Sequence, residues 1–179
     1  MRPHFYDASP KMNYGLTLGA SWKGFDASVL FQGAALFSVR LEMAYTTMFW
    51  QEANLPAYFM DRWHREDPYD PDSQWIPGKW PAMRTQSQAG LLYEDNNVWR
   101  RDCSYVRLKH INIGYTLPQR YSKIAGLNNV RLFVNVSNLY TWADNFIKPF
   151  DPEKIAGTGN AGWSYPLMKT WNIGLDIHF

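Results

Sequence analysis

Five stretches of this chain alternate large apolar and small polar side chains at a strict period of two, and nothing constrains its fold more. In 13–23, Tyr14, Leu16, Leu18, Ala20 and Trp22 share one parity, and Asn13, Gly15, Thr17, Gly19, Ser21 and Lys23 the other. Only a β-strand places such residues on opposite faces. The pattern resumes over 25–33 after the two-residue turn signal Lys23-Gly24, with Phe25, Ala27, Val29 and Phe31 against Asp26, Ser28 and Gln32 and with Leu30 as the exception. A third strand is expected over 104–117, where Ile111, Ile113, Tyr115 and Leu117 oppose His110, Asn112, Gly114 and Thr116 up to Pro118. The fourth, 130–139, sets Val130, Leu132, Val134 and Val136 against Arg131, Asn135 and Ser137, with Phe133 interrupting the polar face. The fifth, 170–179, carries Trp171, Ile173, Leu175, Ile177 and Phe179 opposite Asn172, Gly174, Asp176 and His178.

The connections alternate between short and long. Lys23-Gly24 is tight, and the link from Pro118 to Asn129 is moderate. The segments 34–103 and 141–169 are long and rich in Trp, Tyr, Pro and Asp. Long structureless loops are uncommon unless they serve a function, and here they emerge from the same end of an up-and-down sheet. No apolar run long enough for a transmembrane helix exists, and the first residues lack the apolar core of a secretory signal. A net charge of +2 is too mild for nucleic acid. The lone Cys103 excludes an internal disulfide and leaves the redox compartment open.

Alternation alone does not choose the solvent, because a soluble sandwich shows it too. Strand length and the identity of the small face do better. Each strand carries roughly 9 to 11 alternating residues, enough to cross a hydrocarbon layer at a tilt of roughly 45°, whereas strands of globular proteins run about 5 to 6. Aromatic residues make up 17% of the chain, and Trp22, Phe25, Tyr115, Trp171 and Phe179 sit toward strand ends, as interfacial girdles require. The expected class is therefore all-β, an antiparallel transmembrane β-barrel wall. Five strands cannot close a barrel, and an open edge in lipid leaves backbone groups unsatisfied at several kcal/mol each. More polypeptide is expected to complete the wall.

Several stretches, in order, resemble the C-terminal part of SusC/RagA-type TonB-linked (TonB-dependent) outer-membrane transporters. They are "WKGFDASVLFQG" (Trp22 to Gly33), "DRW" (Asp61 to Trp63), "CSYVRLKHINIGYTLP" (Cys103 to Pro118), "RLFVNVSNLYTW" (Arg131 to Trp142), "FDPE" (Phe150 to Glu153) and "YP" (Tyr165-Pro166), before a terminal aromatic. The resemblance covers about Asn13 to Phe179. It implies the last five strands of a 22-stranded barrel, incomplete alone, with both termini of the whole barrel in the periplasm and loops 34–103 and 141–169 outside the cell. It further implies the outer membrane of a Gram-negative bacterium as the location, Phe179 as the barrel-assembly signal, and a chain that is a fragment or one half of a split transporter. The implied partners are the remaining N-terminal barrel and plug, a SusD-like lipoprotein lid, TonB through the missing N-terminal part, and outer-membrane lipid.

No nucleophile or paired-carboxylate constellation is found, so no enzyme is expected and no catalytic residue is assigned. His4, His64, His110 and His178 lie on unrelated elements, and polar lining is the favoured reading of His110 and His178. Asp67, Asp70 and Asp72 are candidate calcium ligands in a loop, but the Gly and distal Glu of an EF-hand are missing and a solvated loop is favoured; no other cofactor is expected. Trp50, Tyr58, Trp63, Trp75 and Trp80, with Asp61 and Arg62, are candidates for substrate or lid contact, since aromatic faces stack on sugars or hold peptides. The competing reading gives the same residues to a small core inside the loop. The functional expectation is the wall and extracellular loops of an importer of glycans or oligopeptides. The rival is a soluble secreted β-sandwich that binds carbohydrate through exposed Trp residues.

Overall fold

The computed structural model describes residues 6–41, 43–46, 49, 54–82, 96–155 and 164–179. Among the described residues nine strands follow one another: β1 (Met12–Trp22), β2 (Phe25–Ala35), β3 (Ser38–Arg40), β4 (His64–Arg65), β5 (Trp75–Ile76), β6 (Arg100–Asp102), β7 (Tyr105–Thr116), β8 (Asn129–Trp142) and β9 (Thr170–His178). The long ones form a single antiparallel sheet in the order β1-β2-β7-β8-β9. Two ribbons, β3–β6 and β4–β5, belong to the loops. Single helical turns lie at α1 (Met43–Thr46), α2 (Gln119–Ser122) and α3 (Pro152–Ile155), and no described helix is long and apolar enough to cross a membrane.

Register turns the five alternations into two continuous faces. Leu16 pairs Phe31, which pairs Leu108, which pairs Tyr140; Trp22, Phe25, Tyr115, Leu132 and Leu175 form a second apolar row. The opposite face carries rows such as Ser28–Asn112–Asn135–Asn172. No second layer covers the apolar face among the described residues. Leu16 is 55% exposed and Ile173 78%. A sandwich would bury these residues against a facing sheet, so the soluble rival lacks its second half.

Aromatic side chains mark both ends of the apolar band. Tyr140 and Trp142 meet at 4.8 Å at the long-loop end, and Phe25 and Tyr115 at 4.4 Å at the short-turn end. Tyr14 and Trp22 sit at the two ends of β1, eight residues or about 26 Å apart along the strand, close to the height of the apolar band of outer-membrane barrels.

The turns explain themselves locally. Lys23 and Gly24 both have positive φ, 48° and 88°, the primed turn that matches strand twist. A Cβ at Gly24 would press on the Thr116 carbonyl oxygen, so only glycine fits. On the polar face, Arg131 of β8 reaches across β7 to Asp26 of β2 in a bidentate pair, Nη2 to Oδ2 at 2.5 Å and Nε to Oδ1 at 3.1 Å. Gly114 lies beneath that pair, and a Cβ there would collide with both partners. Phe133, the interruption in the polar face of β8, lays its ring over Gly174 of β9 and fills the space that a side chain on the neighbouring strand leaves empty. Leu30 lies where the β2–β7 register shifts; nothing else in the structure explains an apolar residue there.

The buried core is not under the middle of the sheet. It lies at the long-loop end, where Ala34 and Tyr105 of the sheet pack with Phe37, Val39, Leu41, Cys103, Ile147 and Ile155 of the loops. Positive φ at Leu36 (61°) bends the chain from β2 into β3, and Cys103 N–H donates to the Phe37 carbonyl at 3.1 Å to hold the β3–β6 ribbon above the β2–β7 pair.

Candidate functional site

Two loops, rooted in that core, make the long-loop rim. In the segment between β8 and β9, Asp144 Oδ1 accepts the Phe146 N–H at 2.8 Å and starts a turn that buries Ile147. The chain then reaches Asp151-Pro152-Glu153. Asp151 Oδ1 accepts the Glu153 N–H at 3.1 Å, an aspartate cap, and Pro152 occupies the first position of α3, where its missing N–H costs nothing.

Asp151 is also the hub of a charge cluster. Its Oδ1 accepts from Arg107 Nη2, and its Oδ2 accepts the Leu167 N–H at 2.7 Å. Arg107 is spread between three acceptors, adding Thr141 Oγ1 at 2.9 Å and Glu153 Oε2 at 2.8 Å. Lys109 Nζ reaches both Glu153 oxygens at 2.7 and 2.9 Å. Arg107 is only 3% exposed and Asp151 4%, so these charges survive burial through mutual compensation. The Arg-Leu-Lys of β7 and the Asp-Pro-Glu of the loop, far apart in sequence, are one clamp. Sequence reasoning singled out both motifs without joining them. The complementary signs, two cations in Arg107-Leu108-Lys109 and two anions in Asp151-Pro152-Glu153, were the available signal.

The other loop builds the second core. Phe59, Trp80 and Trp99 are buried, with Tyr58 and Phe146 packed on them; Trp80 and Trp99 stack at 5.4 Å, and Tyr58 meets Trp80 at 4.9 Å. Burial pushes the Tyr58 hydroxyl well above the usual tyrosine range. Asp61 Oδ1 accepts the Lys79 N–H at 3.2 Å, and Arg62 Nη1 donates to the Phe59 carbonyl at 3.2 Å. Asp61 and Arg62 thus spend polar groups inside the loop, and the rings of Tyr58 and Trp80 pack in its core. Trp63 and Trp75 remain 44% and 42% exposed; the Arg65 guanidinium lies 4.4 Å over the Trp75 ring on the β4–β5 ribbon. Trp50 lies outside the described residues.

Asp67 and Asp70 direct their Oδ1 atoms to local backbone, to Tyr69 N–H and Asp72 N–H, both at 2.9 Å, and among the described residues no group of three His, Cys, Asp or Glu is placed to hold a metal ion. Phe179 projects, almost wholly exposed, at the short-turn end just past β9.

An exposed apolar band between two aromatic girdles, a polar opposite face and loop cores gathered at one end define a piece of transmembrane β-barrel wall. Comparison with known proteins agrees. No family model matches the chain. TonB-dependent receptor P3 of Formosa agariphila is 28% identical over 185 residues, and TonB-dependent receptor P26 of the same organism 27% over 183. The matches cover 97% and 95% of this chain, and the chain spans 17% of the length of each relative. Among solved structures, the RagAB peptide importer in its 'open-open' state superposes with a TM-score of 0.68 at 21% identity, covering 97% of this chain and 18% of that one. The 'closed-closed' state gives 0.69 at 22%, covering 96% and 18%. Over nearly its whole length the chain is thus similar to part of two TonB-dependent receptors, and it shares its fold with part of the RagAB structures.

Proposed function

We propose that this chain supplies wall strands and outer loops to a complete receptor that imports glycans or oligopeptides across the outer membrane of a Gram-negative bacterium. In this reading a SusD-like lipoprotein lies over the long-loop rim, which faces the medium, while a plug and a TonB-contacting segment belong to other parts of the receptor. The observation that carries the reading is the uncovered apolar face: five strands wide, capped by aromatics at both ends and backed by Ser and Asn rows. Such a surface requires acyl chains around it. The names of the similar receptors and the likeness to the peptide importer support the same assignment.

No bond is made or broken by these residues. Their work is positional: the clamp between Arg107, Lys109, Asp151 and Glu153 fixes one rim loop on the wall, and the Trp80–Trp99 core stiffens the other. A stiffened loop presents Trp63 and Trp75 at little entropic cost. In the complete receptor, Trp63→Ala/Trp75→Ala weakens capture of the imported ligand by about tenfold or more, read by titration with oligopeptide and oligosaccharide pools while the heat-modifiable gel mobility of the barrel stays unchanged. Unaltered affinity for both pools would remove these two residues from the site.

A further inference from the structure

β8 outruns β9. The last β8–β9 pair is Ser137 with Thr170, so Asn138 to Trp142 have no β9 partner on that side. The notch left in the wall is a cleft of about 210 Å³. Its lining combines three kinds of group. Arg107 and Asp151 at its back neutralise each other. Lys148 and Lys169 contribute cations with no carboxylate partner among the described residues: Lys148 Nζ donates to the Tyr140 hydroxyl at 3.1 Å and sits 4.1 Å over its ring. Asn138 is the third kind. Its Nδ2 donates to the Met168 carbonyl at 3.0 Å, while its Oδ1 is buried without a donor.

A buried acceptor without a partner is costly and needs an incoming N–H or O–H. Lys148, half-buried, and Lys169, exposed, line the cleft as two cations without a described carboxylate partner and favour an anion there. Tyr140, 42% exposed, carries Lys148 over one ring face and offers its remaining apolar surface to the cleft. A small molecule that meets all three needs at once carries an acidic group, hydroxyls and a flat C–H surface.

We propose that this notch is a binding site for a sugar bearing a phosphate or similar acidic group. Lys148 and Lys169 hold the anion, Asn138 Oδ1 takes a sugar hydroxyl, and the Tyr140 ring lies against the sugar. The ligand reaches the rim either on an outer-leaflet glycolipid or free in the medium, and the inference rests on the membrane-barrel reading above.

The test uses the complete receptor in detergent, titrated with glucose 1-phosphate, glucose and inorganic phosphate. Glucose 1-phosphate binds at least about tenfold more tightly than either half alone, and Lys148→Gln/Lys169→Gln removes about tenfold of that affinity. Lys169→Gln alone, at an exposed residue with no described contact, keeps the fold and shows a smaller loss. Receptor in nanodiscs with a phosphorylated glycolipid, compared with the dephosphorylated lipid, separates the sources: retention of the phosphorylated form assigns the site to the membrane, and binding of the free sugar phosphate alone assigns it to cargo. Equal affinity in wild type and both variants, or inorganic phosphate binding as tightly as glucose 1-phosphate, overturns the proposal. Loss of heat-modifiable mobility in the wild type would instead sink the barrel reading beneath it.

Discussion

The clamp at the rim shows how a buried ion pair earns its place. Arg107 and Asp151 are desolvated nearly completely, and a buried pair is poor evidence for stability, because apolar replacements of both partners are often neutral. Removing one partner is different, since the other charge is left buried and alone. Arg107→Ala therefore costs about 3–5 kcal/mol in the complete receptor, measured as a lowered midpoint of heat-modifiable mobility, and Arg107→Met/Asp151→Leu recovers only part of it, because Asp151 also accepts the Glu153 and Leu167 N–H groups. Equal losses in both variants would show that the pair does more than balance charge. Cys103 gives a second prediction. Burial pushes its thiol from 9.0 up to about 12. A raised folded value means that this thiol's contribution to stability is fully present below pH 9 and is lost as pH rises toward 12. At pH 8 its reaction with iodoacetamide is slower than that of an exposed thiol by about a thousandfold, following the thiolate fraction, until denaturant exposes it. At this scale the sequence was only partly legible. Arg107 and Asp151 each stood out inside a motif, but their union depends on a loop path that no local periodicity encodes. The aromatic loop residues divide between core and surface for the same reason.

Elements were far more legible, because period two acts over neighbouring residues and needs no knowledge of the rest of the chain. All five long strands are read from alternation, whereas β3 to β6, at two or three residues each, are too short to show any. The irregularity in β7 had a signal that a simple reading passes over. Val106 and Leu108 are even-numbered while Ile111, Ile113 and Tyr115 on the same face are odd, and the register shift between Leu108 and His110 resolves the conflict. β8 continues to Trp142, beyond the expected 139, because Tyr140 and Trp142 find β7 partners in Leu108 and Val106. Glycine within strands also has a purpose. Tyr14 lies over its cross-strand partner Gly33 and donates its hydroxyl to the Tyr105 carbonyl at 2.8 Å, tying β1 to β7 across β2. A Cβ at Gly33 would meet both that ring and that backbone oxygen, which cannot move aside. Gly33→Ala is expected to destabilise the barrel by about 1–3 kcal/mol, and Tyr14→Phe by about 1 kcal/mol, the worth of the hydrogen bond alone. Denaturant midpoints of the receptor in lipid distinguish them; a Gly33→Ala barrel as stable as Tyr14→Phe would mean that the ring, not the close backbone approach, sets the position.

At the scale of the whole molecule, the decisive question is which solvent wets the apolar face. Leu175 lies in the interior of β9 on that face and Asn172 on the other. Arginine at Leu175 costs about 2–4 kcal/mol if acyl chains surround it, and arginine at Asn172, facing a wet interior, costs much less. Refolding titrations of the receptor into lipid vesicles measure both, and equal costs would contradict the two-faced wall. The same physics limits the sheet by itself. β1 offers its outer edge to no described partner and is exposed along its whole length, and β9 likewise has one unpaired edge. Each unsatisfied N–H or C=O in hydrocarbon costs several kcal/mol, so two open edges outweigh what five strands gain from lipid contact. Expressed by itself, this 179-residue chain therefore gives no heat-modifiable monomer in detergent, whereas joined to the strands that pair with β1 and β9 it gives one. A monodisperse, protease-resistant monomer from the isolated chain would show that its edges are satisfied internally, and that the apolar band faces protein.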